Sequence, residues 1–403
     1  MTDAARIWSA AIAAVRPETL LAGLTLPLDD VDRIVVVGGG KAAAGMAAGV
    51  EALLGGDGLA RHRVTGLVSV PEGCGRRLDR IEVRETRPLA ANLPTPAVVE
   101  ATEEMLAAIA QLGPQDLVIA VITGGGSALV AAPRPGITLE EKIAVTKQLS
   151  AAGASIAQLN AARREMSRVK GGGLARASGA GRLIAVVLSD VIGDDLDVIS
   201  SGPCMPLEPG TAGSWTTPAG CRVEHRIVGS NATAVAAAAA AARSLGYEIV
   251  PTHVPREASA EATGRALAAE ALRLVADAQR DGTPRAILSG GEATVVVPAD
   301  HGRGGRNQQT VLAAIDGVLR GSGSWPEGLV IASVGTDGED GPTDAAGACA
   351  DARVARAITV SSLDVGRALA RCDAYPLLDA TGGLVRTGAT GTNVADLRLV
   401  LIR

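Results

Sequence analysis

Five short, unbroken apolar runs punctuate the chain, and each ends in a cluster of glycines or acids. Residues 33–37 (RIVVV) run into Gly38, Gly39, Gly40 and Lys41, and residues 117–122 (LVIAVI) into Thr123, Gly124, Gly125, Gly126 and Ser127. Residues 183–188 (LIAVVL) run into Ser189 and Asp190, with Asp194 and Asp195 close behind. Residues 286–288 lead to Ser289, Gly290, Gly291 and Glu292, and residues 329–334 to Gly335, Thr336 and Asp337, followed by Glu339 and Asp340. Continuous apolar runs of this length are what strands buried on both faces require. Between them lie helix-forming stretches at 42–54, 98–111, 139–151, 232–245 and 258–280. The βαβα order predicts an α/β fold class: two α/β domains with mostly parallel, Rossmann-like sheets. The irregular stretch 203–226, rich in Gly, Pro and Thr, is read as a hinge, which divides a domain at 1–225 from one at 226–403.

In open parallel sheets, ligands bind beyond the carboxyl ends of the strands, where all five clusters fall. Glycine lets the backbone approach an anion closely, and the N–H groups of such loops form anion-binding nests. Three Gly-rich loops with two acidic ones point to a polyanionic ligand accompanied by a metal. The loop at Gly38–Lys41 matches neither common nucleotide fingerprint. Lys41 is followed by Ala42 where a Walker motif needs Ser or Thr, and the next glycine, Gly45, comes too late for GxGxxG. Hard oxygen ligands such as Asp190, Asp194, Asp195 and Asp340 suit Mg²⁺, and they equally suit turns and helix caps. Arg303 and Arg306, in GRGGRNQQ at 302–309, have the forked geometry that grips carboxylate or phosphate, with Asn307 beside them. Ser127 and Ser289 are candidate hydroxyl donors. No GxSxG elbow makes either a nucleophile.

Composition narrows the function. The net charge is −5, Phe is absent, and Trp and Tyr number three and two, so neither a basic footprint nor base-stacking platforms exist for nucleic acid. No run approaches the ~20 apolar residues of a membrane span. The first residues lack the basic and apolar blocks of a signal peptide, which predicts a cytoplasmic protein. The five cysteines are scattered without CxxC, and the four histidines never come close together, so neither a disulfide frame nor a zinc site is expected. Only Lys41, Lys142, Lys147 and Lys170 are lysines, and two of them adjoin glycine runs, GGGK and KGGG.

Eight segments resemble the glycerate 2-kinases that carry a C-terminal MOFRL domain. They are VVGGGKAAAGMA (36–47), TGGGSAL (123–129), NAARREMSRVKGGGLA (160–175), LSDVIGDDLDVISSGP (188–203), SGGEATV (289–295), GRGGRNQQ (302–309), GTDGEDGPTDAAGA (335–348) and TGATGTNVADLRLVL (387–401). The resemblance implies ATP-dependent, Mg²⁺-assisted phosphorylation of D-glycerate on its 2-hydroxyl, in a cleft between two α/β domains. The catalytic lysine, aspartate and arginine of that family match Lys41, Asp190 and Arg306. The nucleotide would meet Gly38, Gly39, Gly40, Gly124, Gly125, Gly126, Ser127, Gly290, Gly291, Glu292, Asn307 and Asp337, and the metal Asp190 and Asp194. One departure stands out: many members carry His-Pro-x-Pro before the GGGS loop, whereas this chain reads Leu93-Pro94-Thr95-Pro96. The expected partner is glycerate, with no nucleic acid and no membrane, for a monomer or homodimer. Two competing readings are a hydroxypyruvate reductase, which the missing dinucleotide fingerprint disfavours, and a non-enzymatic phosphosugar-binding module.

Overall fold

The apolar runs become strands in the computed structural model, which describes residues 2–88, 93–152, 156–206 and 214–403. The chain divides into two compact units. The first comprises Arg16–Ser230 with Gly391–Asn393, and the second Met1–Val15, Asn231–Thr390 and Val394–Arg403. Each is an α/β unit with its own sheet. The opening helix Asp3–Ala14 thus belongs with the second unit, where it packs on the helix Asn231–Ser244. There Asp3 accepts a hydrogen bond from the Tyr247 hydroxyl (3.0 Å) and pairs with Arg403 (3.0 Å). Among the described residues, no helix is long and apolar enough to cross a membrane.

In the first unit, seven strands, β1 (Arg33–Gly39), β2 (Arg63–Pro71), β3 (Ile81–Arg87), β4 (Leu117–Thr123), β5 (Arg182–Leu188), β6 (Ser214–Thr216) and β7 (Arg222–Gly229), lie in the order β3-β2-β1-β4-β5-β7-β6. Every neighbouring pair is parallel except β6 with β7. All of β4 is buried, as is β1 from Ile34 onward, which is why both read as unbroken apolar runs. The core interleaves Val35, Val37, Val118 and Ile122 of the sheet with Met105 and Ile109 of the helix Pro96–Ala110. Each such side chain contributes roughly 1.5–3 kcal/mol on burial. That helix starts where Thr95 accepts the Val98 N–H (3.3 Å) and Pro96 takes the first turn, where no N–H is needed. Within 203–226, read from sequence as an irregular hinge, the structure places β6 and the start of β7, and 207–213 lie outside the described residues. Charged residues of β7 (RVEHRIVG) interrupt its apolar pattern and hide it from periodicity.

The second unit carries β8 (Glu248–Ile249), β9 (Arg285–Gly291), β10 (Val330–Gly335), β11 (Gly347–Ala350), β12 (Leu384–Val385) and β13 (Asp396–Ile402), in the order β12-β11-β10-β13-β9-β8. Here the expectation of a mostly parallel sheet is corrected. Only β8 and β9 pair parallel, and the other four pairings are antiparallel. The βαβα succession does form, since β9 and β10 run the same way, joined through the helix Arg306–Ser322. The C-terminal strand β13 then inserts between them in the opposite direction. A strand buried on both faces is equally apolar in either direction, so the hydrophobic pattern carries no sign of this.

Candidate active site

The order of the first sheet reverses between β1 and β4: the chain builds outward from β1 to β2 and β3, then returns to the other side of β1 with β4. Such a switch point opens a crevice beyond the strand ends. The loops after β1 and β4 meet at it. The backbone N–H of Lys41 donates to Gly124 O (2.9 Å), and the N–H of Ala42 donates to Thr123 Oγ1 (3.2 Å). Gly38 and Gly40 are needed for this closeness, since a Cβ on either would come within 2.0 Å of Val121 O or Thr123 Oγ1. Gly126 likewise abuts the Ser200 hydroxyl, at 2.3 Å from where its Cβ would stand.

Gly125 differs. It is partly exposed at a left-handed φ of 79°, and the space where its Cβ would stand is bounded by the Lys41 stem at 3.5 Å and the Arg87 guanidinium at 3.8 Å. Next to it, Gly124 sits against Asp190, and a Cβ there would fall 2.1 Å from Asp190 Oδ2 and 2.2 Å from Asn393 Nδ2. Asn393 Nδ2 donates to the same carboxylate oxygen at 3.3 Å. The structure therefore brings together Lys41, the loop Gly124–Gly126 with Ser127, and Asp190. It adds two groups that sequence reasoning did not single out. Arg87 closes β3 and is 1% exposed, and Asn393 arrives from a distant segment. A charged residue ending a strand on the ligand side was a usable signal for Arg87; Asn393 offered only its place in the TGTN segment.

The acids after β5 do not gather into a cluster. Asp194, half-buried at a positive φ of 57°, turns the loop, and Asp195 Oδ1 accepts the Asp197 N–H (2.9 Å). Among the described residues, no three His, Cys, Asp or Glu side chains converge as a metal-ligand group.

In the second unit, Arg306 opens the helix Arg306–Ser322 and forks onto Asp396, the first residue of β13, through Nε (2.8 Å) and Nη2 (2.9 Å). Its third nitrogen, Nη1, reaches the exposed Glu292 (2.9 Å). Burial works against the Arg306 charge, but Asp396 at its side more than offsets this and holds the guanidinium firmly protonated. Burial likewise opposes the charge on Asp396, yet Arg306 and Asn307 keep it below the usual carboxylate range. Asp340 accepts the backbone N–H groups of Asn307 and Gln308, both at 2.9 Å, and so caps this helix. Its burial outweighs those hydrogen bonds and pushes its carboxyl up to about 7. Of the two uses the sequence allowed for Asp340, capping is the one observed.

Several other predicted contact residues are committed to packing. Asn307 is 1% exposed and spends its amide on Asp396 (3.0 Å), Asp340 (3.4 Å) and the Ser333 hydroxyl. A Cβ on Gly290 would strike Asn231, and one on Gly291 would strike Arg256 O. Asp337 Oδ1 accepts the Glu339 N–H (3.0 Å) within its own turn.

The fold and these loops define an α/β enzyme scaffold with cations, glycine loops and a carboxylate at the switch point of a parallel sheet. Residues 3–236 match the family model described as a domain of unknown function, DUF4147, and residues 285–396 match the MOFRL family. A D-glycerate 2-kinase of Thermotoga maritima is 34% identical, over 94% of this chain and 93% of the relative. A protein of Agrobacterium vitis, named provisionally as a hydroxypyruvate reductase, is 36% identical over 98% of this chain and 93% of the relative. The crystal structure of a glycerate kinase from Thermotoga maritima superposes with a TM-score of 0.82 at 32% identity, covering 100% of this chain and 99% of that one. The chain belongs to the glycerate kinase family, with its paired DUF4147 and MOFRL regions.

Proposed function

We propose that the protein is a cytoplasmic, ATP-dependent kinase that phosphorylates the 2-hydroxyl of D-glycerate. The observation that carries this reading is the meeting of Lys41, the Gly124–Ser127 loop and Asp190 at the β1/β4 switch point. Phosphoryl transfer asks the protein chiefly for positioning and charge neutralisation. The Lys41 stem passes Gly125, and its compact ammonium is the group assigned to neutralise charge on the transferred phosphoryl group, with the Arg87 guanidinium bordering the same glycine. Asp190 is held against Gly124 by the Asn393 amide, and this fixes one carboxylate where an alcohol can be deprotonated. Arg306, in the second unit, is oriented by the fully buried Asp396, and its Nη1 pairs with the exposed Glu292, a partner that a ligand carboxylate or phosphate would have to displace.

The donor chemistry suits Mg²⁺, which takes one or two protein carboxylates and fills its remaining positions with phosphate oxygens and water. Asp190 and Asp194 are the residues that would hold it. When bound, it would supply charge neutralisation along the phosphates. Asp190→Asn separates a base from a metal ligand, because only loss of a ligand is partly restored by raising Mg²⁺.

The reductase reading has less support. Gly38 and Gly40 are used for contact with β4, and Gly45 faces Pro17 and Gly391 O, so the loop lacks the open turn of a dinucleotide site. ADP release from ATP and D-glycerate, with NMR identification of 2-phosphoglycerate, tests the proposal. Loss of NADH absorbance with hydroxypyruvate and no ADP release would overturn it in favour of the reductase. Neither activity, with retained affinity for sugar phosphates, would favour a binding module.

A further inference from the structure

Three cations of the first unit have no task in this mechanism, and they line one cavity. Lys142 comes from the helix Leu139–Ala151, Arg163 from the helix Ile156–Glu165, and Lys170 from the turn before Gly173. With Ser127 and Leu93 they enclose about 30 Å³, space on the order of two waters or one carboxylate group. Lys142 is 4% exposed, and its ammonium nitrogen is buried with no hydrogen-bond partner among the described residues. Lys170 is 2% exposed and donates to the backbone oxygen of Ser200 (3.0 Å). Arg163 makes one long hydrogen bond, 3.4 Å, to Asn160 Oδ1.

Buried charges in folded proteins are almost always paired, because an uncompensated one costs several kcal/mol. Here the influences on the three are burial and one another. Burial, then Arg163, lowers Lys142 to about 8, and burial followed by both neighbours drives Lys170 well below its ordinary value. Burial alone lowers Arg163. Three basic groups that disfavour one another's charge around a small cavity would all be held charged by an anion placed between them.

The cavity also adjoins the Gly124–Ser127 loop, whose Ser127 lines it. The hydroxyls of Ser127 and Ser201 share a hydrogen bond (3.0 Å), and Ser201 donates to Asn160 Oδ1 (2.9 Å), the oxygen that also receives Arg163. Ser127 therefore stands between the open Gly125 and the three cations. On the kinase reading a triphosphate chain would lie beside Lys41, Arg87 and Gly125, while the cavity beyond Ser127 has space for one small anionic head.

We propose that Lys142, Arg163 and Lys170 bind the carboxylate of the acceptor acid, so that its hydroxyl lies at the Gly124–Ser127 loop. This assignment rests on the kinase reading for the identity of the acid. It makes the carboxylate the feature by which the enzyme selects its acceptor, and it predicts poor use of the neutral amide of the same acid.

The test compares Lys142→Met and Arg163→Met with the wild type, using D-glycerate and D-glyceramide as acceptors and calorimetric titration of D-glycerate without nucleotide. Loss of a charge-assisted contact should raise KM for D-glycerate at least ~10-fold. KM for ATP should stay within about twofold, and D-glyceramide kinetics should be unmoved, because uniform binding to the carboxylate alone is lost. Lys142→Met should melt no lower than the wild type, since it removes an unpaired buried charge; a purely structural role would lower it. Unchanged KM for D-glycerate in both variants overturns the assignment, and so does a KM for ATP that rises in step. If the wild type released no ADP, the kinase reading would fall on its own. The titration would still decide the pocket: D-glycerate heat lost in both variants supports it, and equal heat overturns it. Should Lys142→Met fail to fold, Arg163→Met, at a half-buried position, gives the same readouts.

Discussion

Gly124→Ala adds a single methyl group where the backbone of the candidate site meets the Asp190 carboxylate. The new Cβ would lie 2.1 Å from Asp190 Oδ2 and 2.2 Å from Asn393 Nδ2, against an ordinary contact of 3.4 Å or more. One side or the other must move by about 1.3 Å. The Gly124 backbone is outside the left-handed region, so alanine meets no strain of its own there. Asp190 is half-buried and has solvent on one side, whereas Asn393 is buried, so the carboxylate is the group with room to yield. A misplacement of roughly 1 Å in a reacting group can cost ~10²-fold in rate, and that is the fall in kcat expected, read by ADP release at saturating ATP and D-glycerate. Gly125→Ala is the internal control. Its φ of 79° costs a non-glycine residue about 1–2 kcal/mol, yet its neighbours stand at 3.5 and 3.8 Å, an ordinary distance. It should lower the melting temperature and disturb kcat far less than Gly124→Ala does. A Gly124→Ala enzyme with wild-type kcat would show that the placement of Asp190 is immaterial to turnover, and the reasoning would fail.

Lys41→Arg should lower kcat by ~10²-fold or more, because a planar fork cannot reproduce a compact ammonium; near-normal turnover would remove Lys41 from the mechanism. Asp396→Ala should cost the second unit ~3 kcal/mol or more in urea unfolding, since it strips Arg306 of both short hydrogen bonds, and a loss under about 1 kcal/mol would argue that the pair is dispensable. Asp340, at about 7 in the folded chain against 3.8 otherwise, holds an extra proton in the folded state between those values. Stability should therefore fall as pH rises from about 4 to about 7 and level off above, and Asp340→Asn should flatten that slope. Unfolding midpoints that show the same slope in both proteins would contradict the raised carboxyl.

All five apolar runs became strands, β1, β4, β5, β9 and β10, because burial on both faces leaves an unmistakable mark on sequence. The helices at 98–111, 139–151, 232–245 and 258–280 appear as Pro96–Ala110, Leu139–Ala151, Asn231–Ser244 and Ala260–Asp281. What the pattern omits is direction, so the reversed β13 in the middle of the second sheet was invisible. Glycine is ambiguous for a related reason. Close approach to a ligand and close approach to the protein's own atoms both demand a missing side chain; Gly290, against the Asn231 amide, and Gly291, against Arg256 O, serve the second need while Gly125 is open to the first. Lys142, Arg163 and Lys170 are separated by other residues along the chain, and nothing in their local sequence tells that one cavity collects them.

The placement of β13 also sets the order in which the protein can be made. Residues 16–230 form a nearly continuous unit whose sheet is complete once β7 has left the ribosome. The second unit has no such schedule. Its first helix precedes residues 16–230 in the chain, yet the strand that joins β9 to β10 spans 396–402, and Asp3 meets Arg403 only after that. Until then β9 and β10 each lack the neighbour that lies between them, and a hydrophobic strand edge left unpaired is where chains aggregate. During synthesis the vulnerable species is thus a nascent chain with a folded first unit trailing an open half-sheet, and its exposure lasts for the time taken to translate from residue 336 to residue 402.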